Sequence, residues 1–198
     1  MENVISQFGL AEEIKTMPAE DQLLAHAPLV GRDPDDALSD IAYVKGQWFL
    51  MFLEKRFGRD TFDAFLRHWF TTHAFTSTHS AEFERFLNAE LMQKHPGKVS
   101  PEEITQWLHQ PGIPSVAEPA KSARFEAVDG ERAKWLAGEI NVNEIDTKAW
   151  STQEWVRFLE GMPEVVTLVQ AHDLQSAFAF DGTPNGEIAQ RWYPISID

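Results

Sequence analysis

Tyr43 is the strongest candidate for chemistry in this chain, because tyrosine is scarce among its aromatic residues. The sequence holds 14 Phe and 7 Trp but only 2 Tyr, at positions 43 and 193. A chain that fills its core with Phe and Trp has little need of a phenol for packing. A phenol, with an ordinary pKa of about 10, stays protonated at neutral pH and can donate a hydrogen bond to developing negative charge. The alternative is a buried tyrosine whose hydroxyl only satisfies a backbone carbonyl.

Three aspartates, Asp33, Asp35 and Asp36, precede this tyrosine in a stretch that also contains Pro34. By themselves, these residues indicate an acidic turn whose side chains are solvated.

Three histidines, His68, His73 and His79, form a second cluster of candidate residues. Their spacings of five and six residues do not place two ligands on one helical face, as the zinc motif H-E-x-x-H does. That motif is absent from all 198 residues. We therefore predict no metal-binding residue in this chain and interpret the three as partly exposed helix and loop histidines.

A buried helix is the element that must position Tyr43. Residues 48–53 are six consecutive apolar residues, and a helix that is apolar on all sides is a buried helix. Ser39 or Asp40 can cap its start, and Gly58 can end it. We expect Tyr43 in its first turn.

The rest of the chain predicts an all-α protein, since no segment shows convincing strand alternation. Two capping boxes are strong start signals, in residues 100–103 (SPEE) and 151–154 (STQE). A break rich in proline at 111–119 separates two groups of helices. The predicted helices lie near 2–15, 19–26 and 40–57, then begin at caps Asp60, Ser80 and Ser100, and continue near 128–138, 151–160, 163–172 and 184–191.

Composition excludes several classes of partner and site. The formal net charge of −14 disfavours a nucleic acid or an anionic membrane as partner. The absence of cysteine excludes disulfides and thiolate metal sites. No export signal and no apolar run of membrane-spanning length is visible, so we expect a cytoplasmic protein.

Three anchors, in order along the chain, carry a resemblance to a known family. They are DPD at 33–35 with YVKG at 43–46, then WL at 107–108 with PGIP at 111–114, and finally GEI at 186–188 with RW at 191–192. Together they resemble the segment downstream of the zinc site in the M1 family of zinc aminopeptidases, which are gluzincins, and most of all its leukotriene A(4) hydrolase-like branch.

The resemblance implies a fold, a division of the chain and site residues. Residues 1–112 would be the helical tail of a thermolysin-like catalytic domain, 113–124 a linker, and 125–198 an incomplete ARM-like helical C-terminal domain. Tyr43 would donate a hydrogen bond to the oxyanion that forms when zinc-bound water attacks a peptide carbonyl. Asp35 would line the substrate pocket.

Departures from the family pattern narrow the expected activity. Leu38 stands where close relatives have a second tyrosine, which favours a plain aminopeptidase over an enzyme with epoxide hydrolase activity. The family's zinc ligands, general-base glutamate and G-x-M-E-N motif have no counterpart in this chain. We therefore expect an inactive fragment without bound zinc, which would need the remainder of the catalytic domain to act on peptides. The alternative is a free-standing acidic helical module that binds a protein partner.

Overall fold

The protein is helical throughout the part that the structure describes. The structure is a computed structural model, and it describes residues 1–25, 31, 33 and 39–197. These residues form no strand, as the all-α prediction required. None of their helices is both long and apolar enough to cross a lipid bilayer.

Nine α-helices occur within these residues: α1 (Glu2–Glu13), α2 (Gly46–Phe57), α3 (Arg59–Thr72), α4 (Ser80–Leu87), α5 (Pro101–His109), α6 (Ala123–Leu136), α7 (Thr152–Glu160), α8 (Leu168–Phe178) and α9 (Gly186–Ile197). Short 3-10 helices cover Ala19–Gln22, Val142–Glu144 and Phe180–Gly182, and two π-helical turns cover Ile41–Lys45 and Asn88–Met92.

The chain divides into two compact units. One consists of residues 6–119, and the other of residues 1–5 with 120–198. The division falls inside the predicted linker 113–124, whose last two residues already belong to α6 because Ser122 caps that helix. That the units correspond to part of a peptidase domain and to an ARM-like domain stays a prediction.

Trp107 of α5 lies in the core of the unit formed by residues 6–119. It is fully buried, and its ring lies 5.6 Å from the rings of Phe49 and Phe52 and 6.3 Å from that of Trp48. Aromatic pairs at such distances stabilise a core beyond the area that they bury. The apolar run of α2 therefore packs against α5, which joins two helices that lie far apart in sequence.

α2 is less completely buried than the sequence predicts. Trp48, Phe49, Phe52 and Leu53 face the core, but Met51 is 38% exposed. A helix turns about 3.6 residues at a time, so one stripe of α2 faces outward despite its apolar composition. This stripe consists of Gln47, Met51 and Lys55.

Two predicted helix caps, at Asp60 and Ser80, are wrong, and the capping boxes at Ser100 and Ser151 are confirmed. Gly58, with φ of +86°, lies between α2 and α3, so Asp60 falls in the first turn of α3 instead of capping it. His79 precedes α4, of which Ser80 is the first residue. Ser100 caps α5 in a complete capping box: its hydroxyl accepts the N–H of Glu103 at 3.2 Å, and the Glu103 carboxylate accepts the N–H of Ser100 at 2.8 Å.

Several helix boundaries in the second half differ from the predicted ones. α6 begins five residues before the predicted 128, whereas α8 begins five residues after the predicted 163. α9 continues to Ile197 through Pro194. The predicted helix at 151–160 agrees with α7, which ends before Gly161 as expected. Its Glu154 carboxylate accepts hydrogen bonds from both the backbone N–H and the hydroxyl of Ser151 at 2.8 Å.

Candidate catalytic tyrosine and its surroundings

Tyr43 lies in a π-helical turn, Ile41–Lys45, that leads directly into α2. Ile41 and Val44 are buried in a small cluster with Leu10 of α1, while the Tyr43 side chain is 73% exposed. The N–H of Gly46 donates to the carbonyl of Ile41, which is the wide bond of a π turn. Such turns occur mostly singly and often at functional sites. The turn thus presents the phenol outward from an anchored backbone, and the hypothesis of a buried structural tyrosine does not fit this exposure.

Lys45, the last residue of the π turn, is the polar group in this region that the sequence analysis missed. Its side chain is fully buried, and Nζ donates to the carbonyls of Gln22 at 2.8 Å and Gln110 at 2.9 Å. Burial lowers the pKa of Lys45 from 10.5 to about 8, because desolvation disfavours the ammonium. A signal existed in the sequence, since Lys45 lies between Val44 and an apolar run that must be buried.

Gln22, whose carbonyl binds this lysine, is itself held by hydrogen bonds of its side chain. Its side-chain amide donates to the carbonyls of Ile14 at 3.1 Å and Met17 at 2.7 Å, and its Oε1 accepts the N–H of Gly112 at 2.8 Å. Gln22 is itself buried. The ammonium of Lys45 therefore binds carbonyls of segments that are already held together by hydrogen bonds.

The predicted pocket aspartate cannot be placed. Asp33 is exposed, whereas Asp35 and Asp36 lie outside the described residues, as does Leu38. The role of Asp35 stays a prediction.

The three histidines have separate surroundings. His68 Nδ1 lies 3.1 Å from a carboxylate oxygen of Glu90. The ring centroid of His73 lies 3.8 Å from that of Trp69 with the two rings tilted by 34°, and its Nδ1 lies 2.9 Å from the carbonyl of the same tryptophan. His79 is exposed just before α4. Each of the first two is thus engaged with its own neighbour.

A surface cleft of about 360 Å³ lies beside His68, and its lining includes Glu90 and Lys94. The ammonium of Lys94, ahead of other influences, lowers the pKa of the Glu90 carboxyl. The charged groups of this cleft compensate one another, and Tyr43 is not among its lining residues.

The residues that the structure describes do not form a zinc site. Within the described ranges, no group of three or more His, Asp or Glu side chains is placed to hold a metal ion, and the sequence contains no cysteine. Catalytic zinc is held by three protein ligands and keeps one open position. No chemical step is therefore assigned to a metal held by these residues.

Comparison with protein families gives a match over more than half of the chain. The model for the peptidase family M1 domain matches residues 2–107, a range that includes Tyr43 and Lys45. Leucine aminopeptidase 2 of Sclerotinia sclerotiorum is 28% identical over 202 residues, covering all of this chain and 32% of that protein. The leukotriene A-4 hydrolase homolog of Botryotinia fuckeliana is 28% identical over 174 residues, covering 85% of this chain and 27% of that protein.

Solved structures share the fold. Yeast leukotriene A4 hydrolase in complex with bestatin superposes with a TM-score of 0.81 at 24% identity, over 97% of this chain and 35% of that one. The native enzyme from Saccharomyces cerevisiae superposes with a TM-score of 0.80 at 23% identity, over 99% of this chain and 36% of that one. The chain thus spans about a third of the length of the relatives that it matches.

Proposed function

Because this chain belongs to peptidase family M1, we propose that it is part of a zinc-dependent aminopeptidase, which hydrolyses N-terminal residues from peptides. The match over residues 2–107 carries the proposal. Two of the relatives named above support it, since one is a leucine aminopeptidase and the other a leukotriene A-4 hydrolase homolog. The activity is proposed for the whole protein. This chain spans only about a third of the length of the relatives.

Tyr43 supplies a hydrogen-bond donor in this proposal. Its exposure and its place in the π turn support the role. When the peptide carbonyl becomes tetrahedral, its oxygen gains negative charge, and a phenol O–H aimed at that oxygen stabilises the transition state more than the bound substrate. The proton stays on the phenol, so Tyr43 acts as an electrostatic partner of the oxyanion and not as a base.

Asp35 lines the substrate pocket in the same proposal. Leu38, which stands where relatives of the leukotriene A(4) hydrolase-like branch have a tyrosine, favours a plain aminopeptidase. Both assignments come from the resemblance of residues 33–46 to the family.

Zinc, its ligands and the rest of the peptide-binding site would come from residues outside this chain. When bound, the metal supplies an activated water as nucleophile. This chain contributes the tyrosine and the helices that hold it, and by itself it is an inactive scaffold. A cytoplasmic location and the lack of nucleic-acid or membrane partners stay predictions.

The reading frame on the 5′ side of the gene segment tests this proposal. An H-E-x-x-H motif in frame supports the enzyme, and the chain extended through that motif should bind zinc and cleave aminoacyl anilides. The decisive variant is Tyr43→Phe in that extended protein. If the extended protein holds zinc but does not cleave any aminoacyl substrate, the proposed activity is refuted, and a binding module becomes the better description.

A further inference from the structure

Lys45 and Tyr43 lie two residues apart in one π turn but in opposite environments. The Lys45 side chain has no exposed surface, whereas the Tyr43 side chain is 73% exposed. The turn therefore points one polar residue into the unit and the other out of it. A shift of the backbone at Lys45 therefore has only one residue, Val44, between it and Tyr43.

The partners of the buried Lys45 ammonium are not carboxylates, which are the usual partners of a buried ammonium. Nζ donates to two backbone carbonyls, those of Gln22 and Gln110, which carry no net charge. Burying an ammonium without a carboxylate is unfavourable, and the lowered pKa of Lys45 reflects this. An apolar side chain of similar length would fill the same space without this penalty. The lysine is thus unfavourable for packing alone, and its two directed hydrogen bonds are what an apolar side chain lacks.

The two acceptor carbonyls belong to separate segments. Gln22 ends the 3-10 helix Ala19–Gln22, and Gln110 follows the last residue of α5. A third hydrogen bond, from the N–H of Ala25 to the carbonyl of Leu108 at 2.9 Å, ties the same two segments together. The ammonium therefore binds the end of the π turn to two segments that are also joined by a hydrogen bond in which Lys45 takes no part.

The structure assigns Lys45 as the positioning residue of Tyr43: its two hydrogen bonds fix the π turn that aims the phenol outward. The inference rests on the proposed function in so far as the aim of Tyr43 matters for catalysis. The positioning itself is a property of this chain. It needs neither zinc nor substrate to be measured.

The test uses the small number of tyrosines and the absence of cysteine in the sequence. The chain has only 2 tyrosines, so labelling with ¹⁵N-tyrosine gives two amide signals, which Tyr193→Phe assigns. It has no cysteine, so a single thiol in Lys45→Cys can be alkylated in denaturant and the chain then refolded. Alkylation with 2-bromoethylamine restores an ammonium at the length of lysine, and alkylation with 1-iodopropane gives a neutral side chain of the same shape.

We expect the aminoethyl form to reproduce the wild-type Tyr43 signal. In the propyl form the Tyr43 signal should move by more than its line width, while the Tyr193 signal stays in place. Hydrogen exchange at the Gly46 amide, which closes the π turn and is observed in a separate uniformly ¹⁵N-labelled sample, should become about tenfold faster in the propyl form, because local opening governs exchange. Val99→Ala is the control for a general loss of stability, because this buried residue belongs to the Trp107 core cluster and should leave the Tyr43 signal unchanged.

Two results would overturn the inference. One is a propyl form with the wild-type Tyr43 signal, and the other is a Val99→Ala variant with the same displacement as the propyl form. If the propyl form does not refold, Lys45→Met takes its place, since its thioether has no hydrogen to donate to the two carbonyls, and the same criteria apply. None of these results depends on peptidase activity, so the aminopeptidase proposal stands or falls separately.

Discussion

The guanidinium of Arg132 lies directly against Gly161, where a methyl group on the glycine would come within 2.1 Å of Cζ. Arg132 Nη1 donates to the carbonyl of Arg157 at 2.9 Å and Nη2 to Asp129 at 2.8 Å. The carbonyl belongs to the last turn of α7 and also accepts the N–H of Gly161 at 3.3 Å, so the arginine adds a second donor at the end of the helix. An arginine from α6 thus caps the end of α7, and a methyl group at 161 would have to displace its guanidinium.

Gly161→Ala should therefore destabilise the protein. The added methyl group displaces the guanidinium of a side chain that is only 12% exposed, and overpacking of this kind costs about 1–3 kcal/mol. Gly130→Ala is the matched control, because it lies within α6 and a methyl group there meets nothing within 4 Å. That change should stabilise the helix by about 0.5–1 kcal/mol. Urea unfolding of both variants measures the two effects. A change in the free energy of unfolding with the same sign in both variants would contradict the Arg132 contact.

Glu154→Gln should weaken the fold in a pH-dependent way. Burial alone would raise the pKa of Glu154, but hydrogen bonds from Ser151 and Arg124 outweigh it and hold the pKa below 4.5. Arg124 binds both carboxylate oxygens, at 2.9 and 2.6 Å. Because the folded pKa is lowered, the stabilisation is full above the unfolded pKa and is lost as the pH falls through the folded pKa.

Unfolding of wild type and Glu154→Gln from pH 7 down to pH 3 checks this prediction. We expect a difference of about 1.5–3 kcal/mol at neutral pH, which is typical of hydrogen bonds to charged groups, and a smaller one at pH 3. Glu126→Gln, at an exposed position in the first turn of α6, is the control. A difference that does not change with pH would show that the charge of Glu154 is not what stabilises the unit.

Lys45→Met should show a pH dependence of the same sign, but in an alkaline range. The folded pKa of about 8 lies below the ordinary 10.5, so the unfolded chain binds more protons between these values and the wild type gains stability as the pH rises from 8 to 10.5. The methionine of the variant cannot titrate. The free energy of unfolding of the wild type relative to the variant should therefore increase over this range in urea titrations. A constant difference would mean that the lysine is more solvated than its buried position indicates.

Tyr43→Phe separates a catalytic tyrosine from a structural one. In this chain the change should alter the free energy of unfolding by no more than about 0.5 kcal/mol, since the side chain is largely exposed. In the zinc-loaded protein that contains this chain, kcat should fall about 10²- to 10³-fold, with KM nearly unchanged because the lost bond forms in the transition state. Melting temperature and steady-state kinetics are measured on one preparation. A fully active variant would refute the catalytic role.

The chain by itself should neither hold zinc nor act as a peptidase. The described residues offer no set of three ligands, and a catalytic zinc normally needs that many. Metal analysis after washing with a chelator should find well under one zinc per chain, and aminoacyl anilides should stay intact. A tightly bound zinc with turnover would show that His68, His73 or His79 contributes ligands after all.

The sequence by itself determined those features that depend on neighbouring residues. The capping box at Ser100 and the helix ends at Gly58 and Gly161 were predictable because a cap or a terminating glycine acts within one turn of its helix. The family was predictable from three short anchors for the same reason, since each is a local arrangement of residue types. The position of Tyr43 at the entrance of an apolar helix belongs to this class.

Tertiary structure alone decided the π turn, the exposure of Tyr43 and the hydrogen-bond partners of Lys45. Helical spacing does not distinguish a π turn from the start of α2, and the packing of Ile41 and Val44 against Leu10 joins segments that lie far apart in sequence. The partners of Lys45 are carbonyls 23 and 65 residues away. A backbone carbonyl is present at every residue, so no pattern of side chains marks which two will meet an ammonium. Only the packed fold makes that choice, because it brings these two carbonyls within hydrogen-bonding distance of one nitrogen.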